Sequence, residues 1–368
     1  MRNSSYSGDS LAHVERQPLD VQANNDNRLA LLHGFRSSVP RRDRGLRSGT
    51  TVCVDEIQRL PSLLNEVHRF IEEKRLRFIL CGSSARKLKQ QGTNLLGGRA
   101  VRRELHPFVP VELGARFDLS SALSIGTLPV VLGAEDPQDA LEAYAQTYLR
   151  EEIRSEALVR NLPAFARFLR AAALFHGRTL NASSLARDAG VARTSVVGYV
   201  EILEDTLLAF RLPPFEAKLR VRERRHPKLY WIDAGLVRTV RGDHGHVELA
   251  ELGALLEGWI ANLLRTHDEH DELFDEIGYW APTDAAKTEV DFLLRRGMEF
   301  LAIEVKSSSR LGPDELRGIE AIAELPKLVR RVLVYGGKEE LVTRSGVSVW
   351  PIERFHAALA EHPLWPGG

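Results

Sequence analysis

At 368 residues the chain is long enough for two or three domains of ordinary size, and its 43% hydrophobic content allows each a full core. Its 50 basic and 50 acidic side chains give no global pull toward nucleic acid or anionic membrane, so such binding would have to come from local patches. No apolar run approaches the roughly 20 residues that span a bilayer, and the N-terminus lacks a secretory hydrophobic stretch, so a cytoplasmic chain with no membrane partner is expected.

Residues 1–49 are rich in Arg, Ser, Asn and Asp, and a poorly ordered or degenerate lead-in is expected there. Arg41, Arg42, Arg44 and Arg47 suit either phosphate contact or a solvated charge run. Order begins with TTVCVDEIQRL, Thr50 to Leu60, a β-branched run that ends in two adjacent carboxylates, Asp55 and Glu56. A buried parallel strand reads as such a run, and open α/β sheets place their chemistry at the carboxyl ends of strands. Two readings fit. In P-loop nucleotide hydrolases this is the Walker B arrangement, in which the first acid supports Mg²⁺ and the second orients the attacking water. Alternatively, Asp55 is the N-cap of a helix, with Glu56 in its first turn.

Pro61 to Lys74 carries a helical apolar face at Leu63, Leu64, Val67, Phe70 and Ile71, and Phe78 to Cys81 reads as a second strand closed by Gly82, Ser83 and Ser84. Strand, helix and strand make a βαβ unit with parallel, neighbouring strands. Cys53 and Cys81 fall on those strands and are expected as buried thiols without a disulfide. Beyond them, NLLGGRAVRRELHPFVPVEL places Arg99 after a glycine pair. In order, Asp55 to Gln58, Gly82 to Ala85, Gly98 to Arg99 and Pro107 to Phe108 resemble the motifs of a prokaryotic family of AAA-type ATPases. Members of that family carry a winged helix and a restriction-endonuclease-like domain in their C-terminal half. The resemblance implies a nucleotide-site remnant at Asp55, Glu56, Ser83 and Arg99, with Ser83 in the sensor position and Arg99 as a finger toward a neighbour's nucleotide. It leaves oligomerisation open.

One departure from that family is large. A Walker A loop needs GxxxxGK[ST] ahead of the Walker B strand, because backbone N–H groups cradle the phosphates while the lysine neutralises them. The first lysine in this chain is Lys74, after Asp55. ATP is therefore not an expected cofactor and ATP hydrolysis is not expected, with a truncated or frame-shifted start as one explanation.

Leu119 to Gly133 reads as a connection punctuated by Ser, Gly and Pro, and Pro137 to Ile153 as a helix. Ala164 to Phe175 is an apolar helix. Next, Ser183 or Ser184 can cap a helix to Ala189, Gly190 makes a turn, and Arg193 to Leu203 forms a second helix, a helix-turn-helix pattern. Its exposed face would present Arg193, Thr194, Ser195 and Tyr199. Leu207 to Leu212 and Lys228 to Ile232 can pair as a wing, and the link between them holds Lys218, Arg220, Arg222, Arg224, Arg225 and Lys228. So dense a basic run suits the phosphate backbone of DNA, or keeps an interdomain packing module soluble. Sequence-specific readout is not expected, since Thr194 and Ser195 are undiscriminating donors.

From Glu251 onward, Gly253 to Leu264 is an amphipathic helix containing Glu257; Ile277 to Trp280, TEVDFLLRR and FLAIEVKSS read as strands, with Asp291 on the second and Glu304 and Lys306 on the third. Strand residues two apart share a face, so Glu304 and Lys306 point together while Val305 offers that side only its carbonyl. The set resembles the PD-(D/E)xK nuclease core, although Val290 stands where a Pro often precedes the aspartate. The resemblance implies Glu257, Asp291, Glu304 and Lys306 as catalytic, with Mg²⁺ on Asp291 and Glu304. The alternative is an amphipathic hairpin with surface ion pairs. Pro313 to Leu325 is expected as a helix, with Leu328 to Tyr335 and Val347 to Ile352 as strands.

The expected fold is α/β and multidomain: a partial P-loop, AAA-type parallel sheet over 50–135, a helical and winged helix-turn-helix domain over 136–250, and a restriction-endonuclease-like α/β domain over 251–368. The function expected is that of an ATPase-family, DNA-associated protein with a degenerate ATP site and a Mg²⁺-binding, nuclease-like domain. Its rivals are an ATP-independent, Mg²⁺-dependent DNA hydrolase and a non-catalytic interaction scaffold.

Overall fold

The computed structural model describes residues 47–57, 60, 62–82, 100–148, 159, 161–217, 219, 221–285, 288–361 and 364–366. The chain divides into two compact units, Met1–Cys81 and Gly82–Gly368.

In the first unit, β1 (Thr51–Val54) and β2 (Arg77–Leu80) pair in parallel, Thr51 beside Arg77 through Val54 beside Leu80, with α1 (Leu63–Lys74) between them. The expected βαβ unit is present. Leu64 and Val67 of α1 are buried together with Ile57 and Leu76. Alternation along both strands leaves Thr51, Cys53, Arg77 and Ile79 exposed, Ile79 to 54%. The thiols expected to be buried are therefore exposed at both Cys53 and Cys81, because the alternate face carries them outward. Asp55 directly follows β1, where its Oδ1 accepts the Glu56 N–H at 2.9 Å and Glu56 takes a left-handed φ of 53°. Ser62, not Asp55, stands at the N-cap of α1, which removes the capping role for Asp55.

Among the described residues of the second unit, an irregular stretch over 100–109 leads into short helices at Pro110–Leu113, Leu119–Ser124, Pro129–Leu132 and Pro137–Ala143, the last running into a π-helical turn at Tyr144–Tyr148. Two of them replace the expected connection over 119–133. Asp118, just ahead of the stretch, accepts the Ser121 N–H at 2.7 Å and starts one helix, and Pro129, read as loop punctuation, occupies the first turn of the other. Asp233 ties this region down, accepting N–H groups from Thr127 at 2.7 Å and Leu236 at 2.9 Å. The approach is close enough that a Cβ on Gly126 would lie 1.9 Å from its carboxylate.

Next come α2 (Leu162–Ala173), β3 (Arg178–Thr179), α3 (Ala182–Ala189), α4 (Arg193–Asp205), β4 (Ala209–Leu212) and β5 (Lys228–Trp231), the strands forming an antiparallel sheet in the order β3-β5-β4. Asn181, rather than either serine, caps α3 and accepts N–H groups from Ser183 and Ser184 at 3.0 Å. Tyr199 leaves the expected exposed face because its ring packs on Phe165 and Phe168, with centroids 5.0 and 5.2 Å away. The connection from β4 to β5 is laced to its neighbours, with the Phe215 N–H donated to Tyr279 at 2.7 Å and the Arg224 N–H to Ala281 at 2.9 Å.

After α5 (Ala234–Arg241) and the long α6 (Leu249–Asp271), β6 (Glu276–Trp280), β7 (Val290–Arg296) and β8 (Glu299–Lys306) form an antiparallel meander. With α7 (Arg317–Ala321), β9 (Leu328–Tyr335), β10 (Leu341–Val342), β11 (Ser348–Pro351) and α8 (Ile352–Ala360), they complete a sheet in the order β10-β11-β9-β8-β7-β6. The helix expected over 313–325 is shorter, a 3₁₀ turn at Pro313–Leu316 followed by α7. Phe292, Leu301 and Ile303 join the core that holds α6 and α8, whereas Leu293 and Ala302 join the one that holds Ile319 of α7. Alternation along β7 and β8 thus feeds two cores.

His176 is buried, its Nδ1 accepting the Trp231 N–H at 3.1 Å. Burial pushes its pKa down to about 3. Because the unfolded chain takes up a proton near pH 6.5 and the folded chain does not, stability is complete above that pH and lost as pH falls toward 3. We expect an NMR titration to keep His176 neutral at pH 4, and the urea midpoint to fall between pH 6.5 and 4. A Cβ on Gly258 of α6 would lie 2.1 Å from His176 Nε2. Gly258→Ala should cost about 1–3 kcal/mol in urea unfolding, and an unchanged midpoint would show that the ring has room to move.

Candidate metal centre

Strand β5 is buried along its whole length, and Lys228 and Tyr230, two apart, share a face of it. Both reach Glu257 on α6. Lys228 Nζ lies 2.7 Å from Glu257 Oε1, and the Tyr230 hydroxyl donates to the same oxygen. Glu289, just ahead of β7, also pairs with Lys228 Nζ, and Asp291 Oδ1 on β7 lies 3.4 Å from it. Ligand oxygens of Glu257, Glu289 and Asp291 all fall within 4.8 Å of one another. An ammonium that is only 2% exposed therefore sits among three carboxylates.

Lys306 and Glu304 lie beside this cluster. Phe292 stands opposite Ile303, and one further step of that register puts Asp291 opposite Glu304. Asp291 Oδ2 accepts the Val305 N–H at 2.9 Å. Val305 thus offers its amide to the aspartate, a bond not anticipated from the sequence. Lys306 Nζ contacts Glu304 Oε1 at 2.5 Å, while Glu304 Oε2 is buried with no hydrogen-bond partner.

The electrostatics follow from burial and crowding. Burial, reinforced by Asp291, pushes Glu257 up to about 7. The same two causes hold Glu304 well above the ordinary carboxylate range. Burial alone would pull Lys228 and Lys306 down, but the facing carboxylates, Glu257 first for Lys228 and Glu304 first for Lys306, raise both above the ordinary lysine value. Tyr230 is also raised, by burial and then by Glu257. Both lysines are accordingly held as ammonium ions. Arg224, 3.5 Å from Glu289, adds a further cation at the margin of the cluster.

The structure thus brings Glu257 to Asp291, and Glu304 to Lys306, as neighbouring pairs. Three participants were missed from the sequence: Lys228 was read as the end of a basic run suited to DNA phosphates or to a solubilising loop, and Glu289 and Tyr230 were not singled out. Their signal was period two, E-V-D for Glu289 and Asp291 and K-L-Y for Lys228 and Tyr230. Lys228 leaves the basic surface because β5 carries it inward. Arg193, Arg222 and Arg225 are exposed, and Arg224 is partly buried. Lys218 and Arg220 lie outside the described residues, as do Ser83 and Arg99, while Asp55 and Glu56 belong to the first unit. Among the described residues, no helix is long and apolar enough to cross a membrane.

Three family models match successive parts of the chain: an AAA domain over residues 11–113, a domain of unknown function (DUF8612) over 116–246, and another (DUF4143) over 252–355. Two uncharacterized proteins, Rv2008c of Mycobacterium tuberculosis and Mb2031c of Mycobacterium bovis, are each 25% identical over 312 residues, covering 82% of this chain and 68% of their own. Among solved structures, protein VC1899 from Vibrio cholerae covers 87% of this chain and 91% of its own at 14% identity, with a TM-score of 0.26. Can2 from Sulfobacillus thermosulfidooxidans, solved in complex with cyclic tetra-adenylate, covers 85% and 90% at 9% identity, with a TM-score of 0.23. Scores that low carry no structural argument. The AAA-domain and DUF4143 matches support an AAA-type ATPase-like architecture for this chain.

Proposed function

We propose that this AAA-type ATPase-like protein acts on DNA through a PD-(D/E)xK nuclease-like site in its C-terminal region, with the helix-turn-helix and its sheet as a winged helix beside it. The observation that carries the reading is the grouping of Asp291, Glu304 and Lys306 on adjacent strands, with Glu257 from α6. The donor set suits Mg²⁺, a hard cation that takes oxygen ligands. The buried, partnerless Glu304 Oε2 supports the same fit. Glu257, Glu289, Asp291 and Glu304 are the residues that would hold the ion. When bound, it supplies a water of lowered pKa and stabilises charge building on a phosphate.

The protein's own groups divide the remaining work. Lys306, raised by Glu304, stays protonated at neutral pH, so it orients water or phosphate as a donor and does not remove a proton. The Val305 N–H fixes the Asp291 carboxylate. Arg193, Arg222 and Arg225 are exposed and suited to phosphate contact without base reading.

Mg²⁺-dependent cleavage of plasmid DNA tests this reading. Asp291→Asn, Glu304→Gln and Lys306→Ala should each lower it about 100-fold or more; equal cleavage by all three would assign it to a contaminant. Joint replacement of Arg222 and Arg225 by alanine should flatten the slope of log affinity against log salt by about 2, and an unchanged slope would remove the wing from DNA contact. A second reading, a non-catalytic interaction scaffold, is favoured by Lys228, which already supplies a cation to the acids. DNA retention without cleavage by the native chain would select it. For the first unit, Mg-ATP should give no heat in calorimetry at millimolar nucleotide. Binding tighter than about 100 μM, lost in Asp55→Ala, would show that a phosphate cradle exists.

A further inference from the structure

Two separately matched regions meet at this centre. Glu257, Glu289 and Asp291 belong to residues 252–355, but the cation among them, Lys228, belongs to residues 116–246, as does Tyr230, which donates to the same Glu257 oxygen. Lys228 is held by three carboxylates from α6, from the approach to β7 and from β7 itself. Its charge is single, and it is shared among three acids. Beyond Lys228, Glu304 Oε2 remains buried without a partner, on a residue that is only 5% exposed. The acids therefore have a singly charged occupant and, beside it, a buried carboxyl oxygen that lacks a hydrogen-bond partner.

We propose that Lys228 is a tethered cation that competes with a divalent metal ion for Glu257, Glu289 and Asp291, so that β5 governs whether the centre loads. This inference rests on the metal-site reading above. A divalent ion brings twice the charge of the ammonium to the same oxygens. Loading exchanges one for the other: the ion takes the carboxylates and the ammonium leaves, still protonated. Because β5 is the central strand of the β3-β5-β4 sheet, the exchange couples the centre to the helix-turn-helix unit.

Mn²⁺ binding to the full chain, followed by calorimetry and by electron paramagnetic resonance, tests the competition. Lys228→Met should bind Mn²⁺ at least tenfold more tightly than the native chain, and adding Asp291→Asn should abolish the gain. Equal or weaker binding by Lys228→Met, with native binding still lost in Asp291→Asn, would overturn the competition and leave the metal site standing. No uptake by either chain would overturn both. Lys228→Met leaves buried carboxylates uncompensated and can fail to fold. Acetylation of the native chain, read by mass spectrometry, supplies the second measurement. Lys228 should resist acetylation without metal and react several-fold faster at saturating Mn²⁺, whereas unchanged protection at saturation would overturn the exchange.

Discussion

Three carboxylates gathered within 4.8 Å repel one another strongly once water is withdrawn, by about 4 kcal/mol per pair at an effective dielectric of roughly 20. The ammonium of Lys228 makes that gathering tolerable, and the second unit is arranged to deliver it. Strand β5 runs fully buried through the middle of its sheet, which fixes where Nζ can go. Helix α6, at 23 residues, brings Glu257 from one side and the meander brings Glu289 and Asp291 from the other. A buried ion cluster of this kind is weak evidence for stability, because desolvation offsets much of the attraction.

The strands that carry Asp291 and Glu304 and the helix-turn-helix unit share one continuous core. The same buried cluster contains Phe168 and Leu203 from the helices, Tyr230 and Trp231 from β5, and Phe292 and Ile303 from the larger sheet. Motion of one part is consequently felt by the other through well-packed side chains rather than across a flexible linker. His176 sits at this junction, closed over by the bare backbone of Gly258, and holds the β5 amide at Trp231. The residue after Glu257 is thus small because a neighbouring ring already fills the space.

Much of the fold was legible because its signals are local. The βαβ unit, the paired helices around Gly190 and the strands carrying Asp291, Glu304 and Lys306 follow from apolar periodicity and turn residues. What was hidden depends on distant partners. Lys228 closes a run of arginines and looks like the last of them until β5 turns it inward. Glu289 resembles any acid at a strand start, and Tyr199 was assigned outward although two phenylalanines from α2 wait for its ring. The thiols misled in the opposite sense: β-branched neighbours suggested burial, but alternation carries Cys53 to the open face. Pro129 was taken for a loop residue because the residues that start short helices are also those that end long ones.

The way the chain between β4 and β5 lies along β6 has a further effect. An outermost strand normally exposes a row of unpaired amides and carbonyls, a template for association with another molecule. Here Pro213, Phe215, Arg222 and Arg224 hydrogen-bond with Tyr279, Ala281 and Thr283, on β6 and just beyond it. The opposite margin is β10, only two residues long, with Leu341 and Val342 left 45% and 72% exposed. One border of the sheet is sheathed and the other is too brief to template a partner, so this six-stranded sheet is guarded against edge-to-edge aggregation.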